Sequence, residues 1–264
     1  MSKIIIVGGV AGGATAAARL RRLNEQDEII IFERDEYISF ANCGLPYYIG
    51  GVIKDRDHLL VQTVEGMSKR YRLDIRNFSE VAAIHPDIKT VTVFDKKKQI
   101  SYEESYDKLI LSPGANPFVP KFEGREGADC IFTLRNIPDT DAIKNYIIAN
   151  NPKNAIVIGG GFIGLEIAEN LAEKKINVTI IEKLPQVLRI LDFEMAQILH
   201  EEINRNGINL IFNESVSRFK DQGHTVVLNS GGELKADMVI LAIGVTPENH
   251  LAKSGHLAMG AKGH

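Results

Sequence analysis

Ala155-Ile156-Val157-Ile158-Gly159-Gly160-Gly161-Phe162-Ile163-Gly164 is the stretch that decides the fold. A short apolar run of strand type leads into Gly-x-Gly-x-x-Gly. A helical pattern follows from Leu165 to Lys174, and a second apolar run, Val178-Thr179-Ile180-Ile181, ends at Glu182. The glycine motif alone is weak evidence; with a strand before it, a helix after it and an acid closing the next strand, it marks a dinucleotide-binding β-α-β unit. Gly159 serves the tight turn, Gly161 lets a pyrophosphate approach the backbone at a helix N-terminus, and Gly164 lets helix and strand pack closely. Glu182 is placed to accept a hydrogen bond from a ribose 2′-OH and to repel a 2′-phosphate, which favours NADH over NADPH; the neighbouring Lys183 pulls the other way.

The chain carries this pattern twice. Ile4–Val7 runs into Gly8-Gly9-Val10-Ala11-Gly12-Gly13, then an alanine-rich helical stretch from Ala14 to Leu23, then Ile29–Phe32 ending at Glu33. Gly8 and Gly13 take the outer glycine positions and Val10 the middle one. Each half then shows a hairpin pattern, around Val91–Phe94 and around Thr225–Leu228, with Lys96–Lys98 at a hairpin tip. Each half closes on an apolar strand: Leu109–Leu111 leads into Ser112-Pro113-Gly114, and Met238–Ile243 into Gly244. Short buried strands alternating with helices imply parallel sheets covered on both faces. The expected fold is α/β, with two Rossmann-like units, parallel sheets and small antiparallel insertions. The segment from about Asn116 to Asn151 reads as a connection that contains a helix from Pro138 to Asn150. A further helix from Phe193 to Asn206 is expected to end at Gly207.

Composition narrows the function classes. A net charge of -3 with no long like-charged run excludes the electrostatic footprint of a nucleic-acid binder. No apolar stretch approaches the roughly 18 residues that span a bilayer. The first strand begins at Lys3, which leaves no room for a signal peptide and predicts a cytoplasmic protein. Two cysteines, Cys43 and Cys130, do not make a secreted disulfide framework. The seven histidines show no metal-ligand spacing, so no metal is expected. Cys130 reads as structural, and His200 as a surface or packing residue.

Cys43 lies in Ile38-Ser39-Phe40-Ala41-Asn42-Cys43-Gly44-Leu45-Pro46-Tyr47-Tyr48-Ile49-Gly50-Gly51. Gly44, Pro46 and the capping residue Asn42 put it near a helix start, a position that favours a reactive thiolate. By periodicity alone, a buried and inert cysteine is the more frequent case. Thr15, Arg19 and Arg22 share one helix face by their i, i+4, i+7 spacing.

The stretch Ser39–Gly51, together with the paired glycine motifs, resembles the pyridine nucleotide-disulfide oxidoreductases, and within them the coenzyme A-disulfide reductases. The resemblance covers essentially the whole chain. It implies FAD in the first unit, NADH or NADPH in the second, and Cys43 as the redox-active thiol. Dithiol relatives carry a second cysteine five positions on, where this chain has Tyr48. Cys43 would therefore form either a mixed disulfide with a small thiol or a sulfenic acid. The first leads to a coenzyme A disulfide or persulfide reductase, the second to an NADH oxidase or peroxidase.

The resemblance further implies an FAD site built from Gly8, Val10, Ala11, Gly12, Gly13, Glu33, Arg34, Asn42, Val81, Ser112, Pro113 and Gly114. The pyridine nucleotide would meet Gly159, Gly161, Phe162, Ile163, Gly164, Glu166, Glu182 and Gly244. Thr15, Arg19 and Arg22 would hold the phosphorylated nucleotide of coenzyme A, with Ser39 and Asn42 at its pantetheine, and Arg70 lies where relatives offer another basic contact. The expected division is an FAD-binding domain over 1–115, an NAD(P)H-binding domain over 116–250, and the start of a return to the first domain over 251–264. Relatives continue into a C-terminal interface domain that makes their dimer. An alternative is therefore a nucleotide-binding module that is catalytically incomplete, with an exposed apolar surface.

Overall fold

The computed structural model describes residues 1–261. In chain order the elements are β1 (Lys3–Val7), α1 (Ala11–Leu23), β2 (Glu28–Phe32), α2 (Leu45–Gly50), α3 (Val64–Tyr71), β3 (Asp74–Arg76), β4 (Ser79–His85), β5 (Thr90–Asp95), β6 (Ile100–Ser105), β7 (Lys108–Leu111) and β8 (Ala115–Pro117). There follow β9 (Ile131–Thr133), α4 (Ile137–Asn150), β10 (Asn154–Ile158), α5 (Phe162–Glu173), β11 (Asn177–Ile181), α6 (Phe193–Arg205) and β12 (Asn209–Ile211). The last are β13 (Val216–Lys220), β14 (Thr225–Leu228), β15 (Glu233–Lys235), β16 (Met238–Leu241), β17 (Val245–Pro247) and α7 (His250–Ser254). Contacts divide the chain into one unit of residues 1–41, 60–116 and those from 247 on, and a second of residues 42–59 and 117–246.

The first unit is built on a parallel sheet in the order β3-β2-β1-β7. Alternate side chains of a strand point to opposite faces, and the packing follows that rule. Ile4, Ile6, Ile29 and Ile31 pack with Ala14 and Ala17 of α1 and Met67 of α3. Ile5, Val7, Ile30 and Phe32 pack with Val81, Ile84, Val91 and Val93 of the antiparallel sheet β4-β5-β6, and with Leu251 of α7. Both faces are covered, so β1 and β2 read as apolar runs rather than as alternation. Burial of Arg21 was not legible in the sequence. Its guanidinium donates to the carbonyls of Tyr71, Asn24, Glu25, Asp27 and Arg72 at 2.8–3.3 Å, so a buried charge is tolerated because its donors are satisfied.

The second unit repeats the plan with the parallel order β12-β11-β10-β16-β9 and the antiparallel sheet β13-β14-β15. Ile156, Ile158, Val239 and Leu241 pack against Phe219, Val226 and Leu228 of that insertion. The segment read as a connection supplies β9, the edge strand beside β16; three residues are too few to show a period. Both insertions have three strands where the sequence showed only hairpin patterns. The third strands, Ile100-Ser101-Tyr102-Glu103-Glu104-Ser105 and Glu233-Leu234-Lys235, are largely polar and exposed.

Helices α1 and α5 begin three residues earlier than their patterns suggested, because the last residues of each glycine motif form the first turn. Helix α4 starts at Ile137, with the Asn136 side chain accepting from the Asp139 N–H at 3.0 Å. Helix α6 ends at Arg205, followed by Gly207 at φ +77°. No helix among the described residues is long and apolar enough to cross a membrane.

Candidate functional site

The two glycine motifs fold alike. Gly8 and Gly159 adopt φ +95° and +109°, a region other residues enter at a cost. A Cβ on either would strike the backbone of the neighbouring strand's exit, Ser112 for Gly8 and Ala242 for Gly159. A Cβ on Gly13 or Gly164 would strike the carbonyl oxygen of Gly8 or Gly159 respectively. The first and last motif positions are therefore held by sterics inside each unit. The middle position differs, since a Cβ on Gly161 meets nothing within 4 Å. Val10 caps α1 at the matching place. Neither α1 nor α5 has a side-chain cap, so the first amides of both helices remain donors for an anion. Each motif lies at the carboxyl end of its strand where the strand order reverses, the ligand position of open α/β sheets.

Glu33 and Glu182 perform the same local task. Glu33 accepts from the N–H of Gly9 at 2.8 Å and of Asp35 at 3.0 Å; Glu182 accepts from Gly160 at 2.6 Å and Leu184 at 2.9 Å. Each carboxylate ties its glycine loop to the end of the second strand, and retains lone pairs for a ribose hydroxyl. Glu33 is buried, and that burial raises its pKa against the opposing backbone hydrogen bonds.

Around the first motif, a Cβ on Gly12 would lie 3.1 Å from the Ser112 Oγ. Ser39, at φ +44°, donates its N–H to the Gly9 carbonyl at 3.0 Å. Pro113 and Gly114, at φ +78°, follow Ser112. Arg34 donates to Asn116 Oδ1 at 3.4 Å and lies 3.7 Å from a Glu248 oxygen. Val81 is buried in the core, so its side chain is committed to packing and only its backbone is available to a ligand. Thr15, Arg19 and Arg22 are exposed along one face of α1, as their spacing predicted, and Ala11 is exposed at the first turn.

Cys43 is exposed and free, in a short turn over Asn42–Gly44 that leads directly into α2. Its segment groups with the second unit, not with the glycine loop that precedes it in sequence. Helix α2 packs on α4 and α5. A Cβ on Gly50 would overlap the side chain of Asn170, which is buried in α5 and donates to the Glu166 carbonyl. The Lys144 ammonium sits over the Tyr48 ring at 3.3 Å, and Arg56 grips Asp141 at 2.6–3.1 Å. Tyr48, at the place of a second cysteine in dithiol relatives, is buried. On α5, Phe162 and Ile163 are exposed, while burial and the charge of Glu169 raise the Glu166 pKa. Gly244, at φ +120°, follows β16.

Sequence reasoning missed the support beneath the second motif. Val187 is buried where a Cβ on Gly160 would meet it, and the Leu188 N–H bonds to the Gly160 carbonyl at 2.9 Å. His200 is buried; its Nε2 accepts from the Val187 N–H at 3.2 Å, and burial lowers its pKa. No local motif links His200 to Gly160, so no sequence signal announced it.

The family model for pyridine nucleotide-disulphide oxidoreductases matches residues 2–264. The chain belongs to that family. It is 41% identical over 263 residues to a coenzyme A disulfide reductase of Staphylococcus aureus (strain JH9), covering 100% of this chain and 59% of that relative. The fold matches reduced Bacillus anthracis CoADR-RHD with a TM-score of 0.98 and 56% identity, over 99% of this chain and 47% of that one. It matches an NAD-dependent persulfide reductase from A. fulgidus with a TM-score of 0.93 and 32% identity, over 99% and 49% of the two chains. The chain thus spans about half to three fifths of the length of these relatives.

Proposed function

We propose that this chain supplies the FAD-binding, NAD(P)H-binding and redox-thiol parts of an enzyme that reduces coenzyme A disulfide or a coenzyme A persulfide. The observation that carries the reading is Cys43: an exposed, free thiol at the head of α2, in a segment whose second-cysteine position is a buried tyrosine. A lone thiol of this kind exchanges with a small disulfide rather than closing a local one.

The Cys43 thiolate attacks one sulfur of the disulfide; a Cys43–S bond forms, and a coenzyme A thiolate leaves and takes up a proton. Splitting the resulting mixed disulfide into the second coenzyme A thiol and the Cys43 thiolate takes an electron pair and a solvent proton; FAD held in the first unit would supply that electron pair from NAD(P)H. The protein supplies position and charge for that chemistry. The loop Gly8–Gly13, Glu33, Arg34, the backbone at Val81 and Ser112–Gly114 are assigned to the flavin nucleotide. Gly159, Gly161, Gly164 and Glu182 are assigned to the pyridine nucleotide, with Phe162, Ile163, Glu166 and Gly244 at its nicotinamide end. The Glu182 carboxylate favours ribose hydroxyls over a 2′-phosphate and so NADH. Arg19 and Arg22, with Thr15, present bidentate donors to the phosphates of coenzyme A, and Ser39 and Asn42 hold the pantetheine. A count of two cysteines supports a reducing, cytoplasmic setting.

The test is an anaerobic spectral titration of the wild type and Cys43→Ser. Both should contain flavin that NADH bleaches, and only the wild type should recolour on addition of coenzyme A disulfide. Recolouring of Cys43→Ser at the wild-type rate would remove Cys43 from the nucleophile role. A colourless wild-type protein would assign the activity to a longer chain than this one.

A further inference from the structure

We infer that Asp129, Cys130 and His224 form a binding site for a zinc-class divalent cation in the second unit, apart from the glycine motifs and Cys43. One ligand atom from each residue lies within 4.8 Å of the other two. Zinc bonds of roughly 2.0–2.3 Å place tetrahedral ligand atoms about 3.3–3.8 Å apart. Closing the set therefore takes about an ångström of side-chain adjustment. Thiolate, imidazole and carboxylate together suit zinc better than calcium or magnesium, which take oxygen.

The backbone brings these residues together by a specific route. Cys130 precedes the edge strand β9, and its carbonyl accepts from the Val239 N–H of β16 at 2.8 Å. His224 lies far away in sequence, just before β14. Between β13 and His224 three successive residues take positive φ: Asp221 at +52°, Gln222 at +54° and Gly223 at +99°. Left-handed residues in succession are costly for any residue but glycine. The turn presses onto the cysteine, so that a Cβ on Gly223 would stand 2.7 Å from the Cys130 sulfur. The His224 carbonyl and Nδ1 both bond to Ala236, at 3.0 Å each. The carbonyl of Ala236 can only accept, so Nδ1 carries the proton and Nε2 the lone pair. A ring anchored on a backbone carbonyl in this way matches the outer support usual for metal-binding histidines.

Cys130 is buried, and its sulfur donates to the Gln222 carbonyl at 3.5 Å, which does not make it a nucleophile paired with His224. Asp129 and His224 are exposed and open the site to an entering ion and a fourth, water ligand. On binding, the metal–sulfur bond forms, the S–H bond breaks and the proton passes to solvent.

Cobalt(II) is the probe, titrated into reduced, chelator-treated protein carrying Cys43→Ser so that the exposed thiol contributes nothing. One equivalent should bind with a thiolate-to-metal charge-transfer band and tetrahedral d–d bands, and zinc should displace it. Cys130→Ser should remove the charge-transfer band. His224→Gln, a change at an exposed residue, should weaken zinc by about tenfold or more, measured by competition with a chromogenic chelator. Absence of the charge-transfer band in Cys43→Ser, or zinc affinity unchanged in His224→Gln, would overturn the assignment. If Cys130→Ser loses its native circular dichroism, His224→Gln decides alone.

Discussion

Gly164 and Gly161 stand three residues apart in one motif, yet replacing each by alanine should injure different properties. An added Cβ at Gly164 falls inside any real carbon–oxygen contact with the Gly159 carbonyl, and backbone cannot rotate away. The upper end of overpacking costs, about 3 kcal/mol, applies. Gly164 lies within α5, so alanine recovers about 1 kcal/mol of helix propensity. The net loss is about 2 kcal/mol, or roughly thirtyfold in the folding equilibrium. At Gly161 a Cβ meets nothing, and φ is -82°, open to any residue. Losing glycine from the N-cap costs under about 1 kcal/mol, but on the proposed assignment the methyl enters the approach path of the pyrophosphate. NADH should bind about tenfold more weakly, which corresponds to about 1.4 kcal/mol. Urea unfolding and titration calorimetry with NADH separate the two. A wild-type unfolding midpoint for Gly164→Ala, or wild-type NADH affinity for Gly161→Ala, would refute the assignment of steric work to one glycine and ligand space to the other.

Glu33 should make stability fall with rising pH. Its burial-raised pKa means the native state keeps a proton that the unfolded state releases, so stability is lost from the ordinary glutamate value up through the raised one. Glu33→Gln should flatten the dependence in that window in urea unfolding run across pH, and an unaltered slope would contradict it. Gly50→Ala should destabilise by about 1–3 kcal/mol through its overlap with Asn170; thermal unfolding at the wild-type midpoint would show that α2 and α5 have room to separate. Replacing both Arg19 and Arg22 by alanine should raise the KM for coenzyme A disulfide severalfold and leave that for NADH unchanged, since both side chains are exposed and hold up no core. An unaltered KM for the disulfide would return them to solvent-facing roles.

Sequence period and glycine spacing made the two β-α-β units legible because both are local. Strand faces, motif glycines and the terminal acids Glu33 and Glu182 depend on neighbours within one unit. Short or polar strands were not legible: β9 has three residues, and β6 and β15 expose most of their side chains, so hydrophobic patterning had nothing to register. The Cys43 motif was recognisable from its residues, but the helix it opens had no visible support. That support, Asn170 against Gly50 and Lys144 over Tyr48, comes from helices far along the chain.

By itself, then, the sequence determined the fold class, the duplication and the family. These rest on periodicity and on residue types within a few positions of one another. Tertiary structure alone decided that residues 42–59 pack with the second unit, that Arg21 and His200 are buried, and that Asp129 and Cys130 meet His224. Each of those is a contact between segments distant in the chain, and a one-dimensional pattern carries no record of which surfaces will meet once burial of the strands has drawn them together.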